Sequence, residues 1–392
     1  MRKICSFAQA VILLSPVVST IVATAQPHAA DKGQYIFYVG TYTEEGSKSK
    51  GIYAYRYDAN TAQITPLGLA AETTNPSWVA LHPNGRFLYA VNEVGNYQGP
   101  NSGGVSAFSI DKATGKLTFL NEVRSRGADP CYVTVDDTGK WVLVANYTGG
   151  SIAVFPVLPD GKLGKASDFM QHTGHGTNPK RQEGPHAHSI DLSPDNRFAF
   201  VDDLGLDQLL VYKFDSARGK LTPNVPPSVK LPDGSGPRHF ALHPSGKFAY
   251  VIDEMHSTVS VFTSNLPTGT LDLVQGVSTL PDGFTGENDD AEIRVHPSGK
   301  FLYASNRGHD SIAVFAIDKN MGTLTPVEYA STHGKTPRSF DIDPTGKLLF
   351  AANQQSDNIV IFHIDEKTGR LTPTGKVLDV ASPVCIRFLA AE

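Results

Sequence analysis

Seven ionisable side chains in this 392-residue sequence have types suited to acid–base and anion chemistry: His186, His188, Arg238, Glu254, Arg294, Arg307 and Arg338. An imidazole can take up and release a proton near neutral pH. Guanidiniums grip carboxylates and stabilise developing oxyanions through paired N–H donors. A carboxylate beside them, as Glu254 beside Arg238, stays ionised at neutral pH and suits orientation better than acid donation. Gathered in one place, such groups form a site for a small, anionic, oxygen-rich molecule. Alternatively, Arg238 and Glu254 simply neutralise each other within one structural unit. His186-Ala-His188 could supply two zinc ligands, with Asp253, Glu254 or His256 as further donors. No third ligand stands at motif spacing, so neither a metal nor a cofactor is expected. Nucleophile elbows, phosphate loops, dinucleotide fingerprints and EF-hands are missing from the sequence.

What could gather these residues is a repeat. The stretch Pro76-Ser-Trp-Val-Ala-Leu-His-Pro-Asn-Gly-Arg-Phe-Leu-Tyr-Ala-Val-Asn92 returns with starts at 130, 187, 237, 290 and 337, at intervals of 47 to 57 residues. Each unit reads as a short alternating strand, a tight polar turn, and an aromatic, β-branched strand ending at Asn or Asp. Third strands such as Ile152-Ala-Val-Phe155 and Ile312-Ala-Val-Phe315 follow. Turns such as Asp365-Glu-Lys-Thr-Gly-Arg-Leu-Thr372 then open a fourth strand. Four antiparallel strands per unit without helical periodicity predict an all-β, seven-bladed β-propeller. Six complete inner-strand pairs accompany seven outer hairpins. The seventh pair is split, its second strand at Tyr35-Ile-Phe-Tyr-Val-Gly-Thr41 and its first at Pro383-Val-Cys-Ile-Arg-Phe-Leu389. The two termini therefore close the ring within one blade and leave no open edge.

In such a ring, the start of each innermost strand and the end of the next strand meet at one mouth of the central channel. The first position holds Ser77, Cys131, His188, Arg238, Ala291, Arg338 and Val384 in turn. The second holds Glu93, Tyr147, Leu204, Glu254, Arg307 and Gln354. Insertions at 164–184 and 280–290 precede innermost strands and should overhang the same mouth; the first carries Lys180 and Arg181, which read more readily as a solvated charge pair than as a phosphate clamp. His82, His243 and His296 precede the turn prolines and read as turn packing. The Asn or Asp at 92, 146, 203, 253, 306 and 353 should bond backbone at strand ends.

Composition narrows the function classes. With 34 Lys and Arg against 39 Asp and Glu, the net charge is −5, which offers no basic field for nucleic acid. Three cysteines exclude a disulfide scaffold; Cys131 and Cys385, in separate repeats, are expected as buried thiols. Arg2 and Lys3, an apolar stretch over 8–22 and Ala23-Thr-Ala25 read as a secretory signal spanning 1–25. A short linker, 26–33, then leads to a propeller domain over 34–390. The mature chain is expected to be an exported, periplasmic or secreted monomer without a membrane span.

Tyr38-Val-Gly-Thr-Tyr-Thr43, Gly184-Pro-His-Ala-His188, Gly236-Pro-Arg238, Asp253-Glu254, Ala291-Glu-Ile-Arg294 and Ser305-Asn-Arg-Gly308 resemble the seven-bladed propeller lactonases. That family comprises propeller-type 6-phosphogluconolactonases and fungal carboxy-muconate lactonising enzymes. The resemblance covers about residues 34–390. It implies a metal-free site of one His, two Arg and a Glu: His186 or His188, Arg238, Glu254, and Arg307 or Arg294. Arg338, Glu93, Lys180 and Arg181 join Arg294 as candidates for binding substrate. The implied activity is hydrolysis of a sugar δ-lactone, 6-phosphoglucono-1,5-lactone or its unphosphorylated counterpart, and export favours the latter. A muconate-type cycloisomerase and a non-catalytic exported propeller binding carbohydrate or protein are the alternatives.

Overall fold

The computed structural model describes Met1 and residues 33–391. Apart from Met1, the expected signal lies outside the described residues, as does most of the expected linker. Residues 33–391 form seven four-stranded antiparallel sheets, with one short 3-10 turn, Gln354–Ser356, between the second and third strands of a single blade. This is the seven-bladed propeller that the repeats predict. Its closure is also as expected: Gln34–Thr41 pairs with Pro383–Ala390 on one side and with Gly51–Asp58 on the other.

The burial of each strand follows its radial place. Second strands such as Phe87–Asn92, Phe248–Asp253 and Leu348–Asn353 are buried throughout, because neighbouring blades cover both of their faces. Their sequences accordingly run apolar instead of alternating. Outermost strands such as Leu371–Asp379 are exposed along most of their length. Between blades lie fully buried aromatics, among them Tyr89, Tyr250, Tyr303, Phe200 and Phe315. Each contributes about 1.5–3 kcal/mol of burial free energy.

Polar bonds stitch one blade to the next. Tyr89, Tyr250 and Tyr303 donate their hydroxyls to the carbonyls of Gly161, Gly322 and Gly369 in the following blade's outer turn. His82, His243 and His296 do pack turns, and they do so between blades. Their Nε2 atoms lie 2.8–2.9 Å from the carbonyls of Gly139, Gly299 and Gly346. Gly139 has φ +69°, and a Cβ there would sit 2.2 Å from the His82 ring, so both backbone shape and space require glycine. The strand-end residues mostly behave as expected. Asn92 and Asn306 donate to the carbonyls of Thr74 and Thr279, whereas Asp253 accepts hydroxyl protons from Thr258 and Ser260. Cys131 and Cys385 are buried free thiols. Among the described residues no helix is long and apolar enough to cross a membrane.

Candidate active site

The pairing of innermost to second strands slips at the same place in five blades: Pro130/Tyr132, Pro237/His239, Asp290/Ile293, Pro337/Ser339 and Pro383/Cys385. A bulge leaves a residue out of the ladder and re-aims its side chain. The residues released include Cys131, Arg238 and Arg338, each at the first position of its repeat. With Glu93, Tyr147 and Arg307 from second-strand ends and His188 from the fourth blade, they surround the channel mouth. Most of them line a cavity of about 230 Å³.

Glu254 is the electrostatic centre. It is 4% exposed and receives three guanidiniums from three chain segments. Arg238 Nε donates to Oε2 at 3.0 Å, Arg307 Nη2 stands 2.7 Å from the same oxygen, and Arg181 donates to Oε1. Burial alone would raise the Glu254 pKa. Arg307 and Arg238, with help from Arg181, outweigh burial and hold it well below the usual carboxylate range. Glu254 is therefore a fixed anion at neutral pH. Arg238, 2% exposed, also donates Nη1 to the Ala291 carbonyl at 2.5 Å and lies within 3.3 Å of the His239 ring. Desolvation and the nearby Arg307 and Arg338 cations push its pKa down to about 10, so it remains charged at neutral pH.

Opposite this cluster, Glu93 accepts the Tyr42 hydroxyl at 3.0 Å, and burial raises its pKa against the pull of Arg338. The Arg338 guanidinium lies over the Tyr42 ring, 5.3 Å from its centroid; burial would lower its pKa, but Tyr42, Glu93 and Glu254 raise it without a direct ion pair among the described residues. It is a cation with capacity to spare. Tyr42, within the Tyr38–Thr43 motif, is thereby the platform for that arginine.

His186 and His188 part company. On a regular strand two imidazoles two residues apart would share a face, but the innermost strand of this blade is only Asp191–Leu192, preceded by an isolated bridge between Ala187 and Asp203. The Asp203 carboxylate takes the His186 N–H at 2.8 Å in place of a ladder carbonyl. The His186 ring stacks on Tyr147 at 4.6 Å, with Nε2 3.3 Å from Glu183, and does not line the cavity. His188 does. Its Nδ1 is 3.8 Å from the Cys131 thiol, and its ring meets Tyr147 edge-on. Burial, then Arg238 and His239, hold its pKa well below the ordinary value, so it is the free base at neutral pH. The Cys131 thiol, pushed up by burial, stays protonated there.

Arg294 is placed elsewhere. It sits two residues further along an innermost strand than Glu292 and pairs with that carboxylate at 2.9 Å and with Asp341 at 3.3 Å. Arg387 lies 3.7 Å from Asp341 and over the Trp78 ring, and Tyr132 donates to Asp191. This lower layer fills the channel with paired charges. Lys180 lines a separate, outer hollow, while Arg181 is no solvated bystander but spans Glu254 and, at 3.8 Å, Asp289. Both insertions thus reach the mouth. Among the described residues no three His, Cys, Asp or Glu side chains converge as a metal-binding group.

Residues 36–388 match the family described as lactonase, 7-bladed β-propeller. The chain is 42% identical over 356 residues to a 6-phosphogluconolactonase of Bacillus subtilis, covering 91% of this chain and 99% of that one. It is 36% identical over 312 residues to a 6-phosphogluconolactonase of Formosa agariphila, covering 78% and 86%. The solved structure of a periplasmic gluconolactonase from Pseudomonas aeruginosa superposes with a TM-score of 0.85 at 35% identity, covering 92% of this chain and all of that one.

Proposed function

The chain belongs to the seven-bladed β-propeller lactonases, and from that premise we propose that it hydrolyses the 1,5-lactone of a sugar acid in the cavity around Glu254. The observation that carries this reading is the pairing of a neutral buried base, His188, with an arginine cage in which Arg338 makes no direct ion pair among the described residues. A volume of about 230 Å³ corresponds to about eight waters at roughly 30 Å³ each, room for one hexose-sized ring.

In the proposed sequence, His188 takes a proton from a water molecule as its oxygen bonds to the lactone carbonyl carbon. Arg338 and Arg307 hold the resulting oxyanion, a role worth on the order of 3 kcal/mol per well-placed donor. The tetrahedral species collapses by breaking the bond from that carbon to the ring oxygen. The imidazolium returns its proton to the departing oxygen, which becomes the sugar hydroxyl. The new carboxylic acid releases one proton to solvent. Glu254 stays ionised throughout and fixes Arg181, Arg238 and Arg307 in place.

The chemistry we propose needs no metal, because His188 supplies the base and Arg338 and Arg307 the oxyanion donors that a metal would otherwise provide. We also propose an unphosphorylated natural lactone and an exported protein. The basic start and apolar 8–22 stretch support export, as does likeness to a periplasmic gluconolactonase. The test is acid release by the purified mature chain from glucono-1,5-lactone and its 6-phosphate, with and without chelator. Rates above spontaneous hydrolysis that survive chelation are expected. No acceleration with either lactone, or turnover of a muconate panel followed by ultraviolet absorbance, would overturn the reading.

A further inference from the structure

Beside the inner cavity lies a larger hollow of about 710 Å³, and the two share Arg181 and Asp289 as a common wall. Three features of this hollow constrain its occupant. Its size is about three times that of the inner cavity, far more than a phosphate group fills. Its charges cancel: Lys180 and Arg181 face Asp233 and Asp289. Arg181 is already engaged by Glu254, and Asp233 by Lys230 at 2.8 Å. A dianion placed there would meet two carboxylates as well as Lys180, so no net positive field holds it. Its remaining lining, Thr177, Asn178 and His256, alternates donors and acceptors, and the Met255 thioether adds an apolar surface. That mixture suits the hydroxyls and C–H faces of a neutral sugar.

We propose that this hollow is a second sugar subsite, so that the chain accepts aldonic acid 1,5-lactones carrying a glycosyl residue. The lactone ring occupies the inner cavity and the attached neutral sugar the outer one. This rests on the lactonase reading for its chemistry, but the binding claim is separable from it.

The experiment compares kcat/KM for glucono-1,5-lactone, its 6-phosphate and cellobiono-1,5-lactone in the full chain and in a Thr177→Trp variant. Thr177 is exposed, and only its backbone N–H is hydrogen-bonded, to Gln182, so the indole fills the hollow without disturbing the core. Calorimetric binding of the stable products, gluconate and cellobionate, is measured in parallel. The proposal expects cellobiono-1,5-lactone to be hydrolysed by the unaltered chain and its kcat/KM to fall at least about tenfold in the variant, with glucono-1,5-lactone unchanged. Cellobionate should bind more tightly than gluconate in the unaltered chain only. Equal loss for all three lactones, no loss for any, or a loss confined to the 6-phosphate would overturn it. If no lactone turns over but the cellobionate preference appears and vanishes with Thr177→Trp, the lactonase reading fails while the sugar subsite stands.

Discussion

Glu254→Gln keeps the shape of the side chain and removes the one anion that three guanidiniums share. The Glu254 and Arg238 side chains are 6% and 3% exposed, so neither is effectively screened by water. Removing one partner of such a buried pair costs about 3–5 kcal/mol, because the other charge stays buried without compensation. Arg181 is more than a third exposed, and its share of the loss is small. At about 2 °C per kcal/mol, a low-end value suited to a chain of this length, the melting temperature at pH 7 should fall by roughly 6–10 °C. Glu254 has a depressed folded pKa, so its contribution is complete above the ordinary carboxylate value of about 4.3 and is lost as pH falls towards the folded value. The gap between the two proteins should therefore narrow in acid. Thermal scans at pH 7 and below pH 4 measure both effects. A Glu254→Gln/Arg238→Gln double variant should show a coupling of about 1–3 kcal/mol. A Glu254→Gln protein melting within about 2 °C of the parent at pH 7, with the same gap in acid, would refute the reasoning.

Three further substitutions separate the proposed chemistry from the scaffold. His188→Ala should lower kcat by about 10²–10⁴-fold, whereas His186→Ala, outside the cavity, should leave it within a fewfold of the parent. Because the His188 pKa lies well below the usual 6.5, the free base persists on acidification, and kcat/KM should hold its plateau below pH 6.5 instead of falling there; a stopped pH-rate profile decides this. Arg294→Ala should leave the kinetic constants for glucono-1,5-lactone unchanged but destabilise the fold. It strips a cation from Glu292, which is fully buried, and a calorimetric scan beside the kinetics would detect either failure.

The propeller was legible because each blade repeats the same alternation, turn and aromatic strand, and because the terminal half-blades complement each other. The Arg238–Glu254 pair was legible for the same reason, since both positions recur in every unit and only their occupants differ. Less could be read where local geometry departs from the repeat. The truncated strand before Asp191 separates His186 from His188, and no spacing in the sequence announces that Asp203 takes over a ladder bond. Arg181 read as one half of a surface charge pair because its partners, Glu254 and Asp289, come from another blade and another insertion. Arg294 and Arg307 were equal candidates on motif alone. Period-two alternation along the innermost strand could have separated them, since Glu292 and Arg294 share a face one layer below the mouth. Asp341 and Arg387 stand three residues past Arg338 and Val384, as Arg294 does past Ala291, so a period-two count from the repeat-start positions steps over them and only the strand slip accounts for their place.

The central claim is that the cavity beside Glu254 receives the lactone carbonyl. A crystal structure of the chain soaked with gluconate tests it most directly. The account predicts the product carboxylate within hydrogen-bond reach of Arg338 and Arg307, with His188 Nε2 facing the carboxyl carbon. Gluconate bound at the opposite end of the channel beside Arg294 and Arg387, with the Glu254 cavity holding only water, would contradict it.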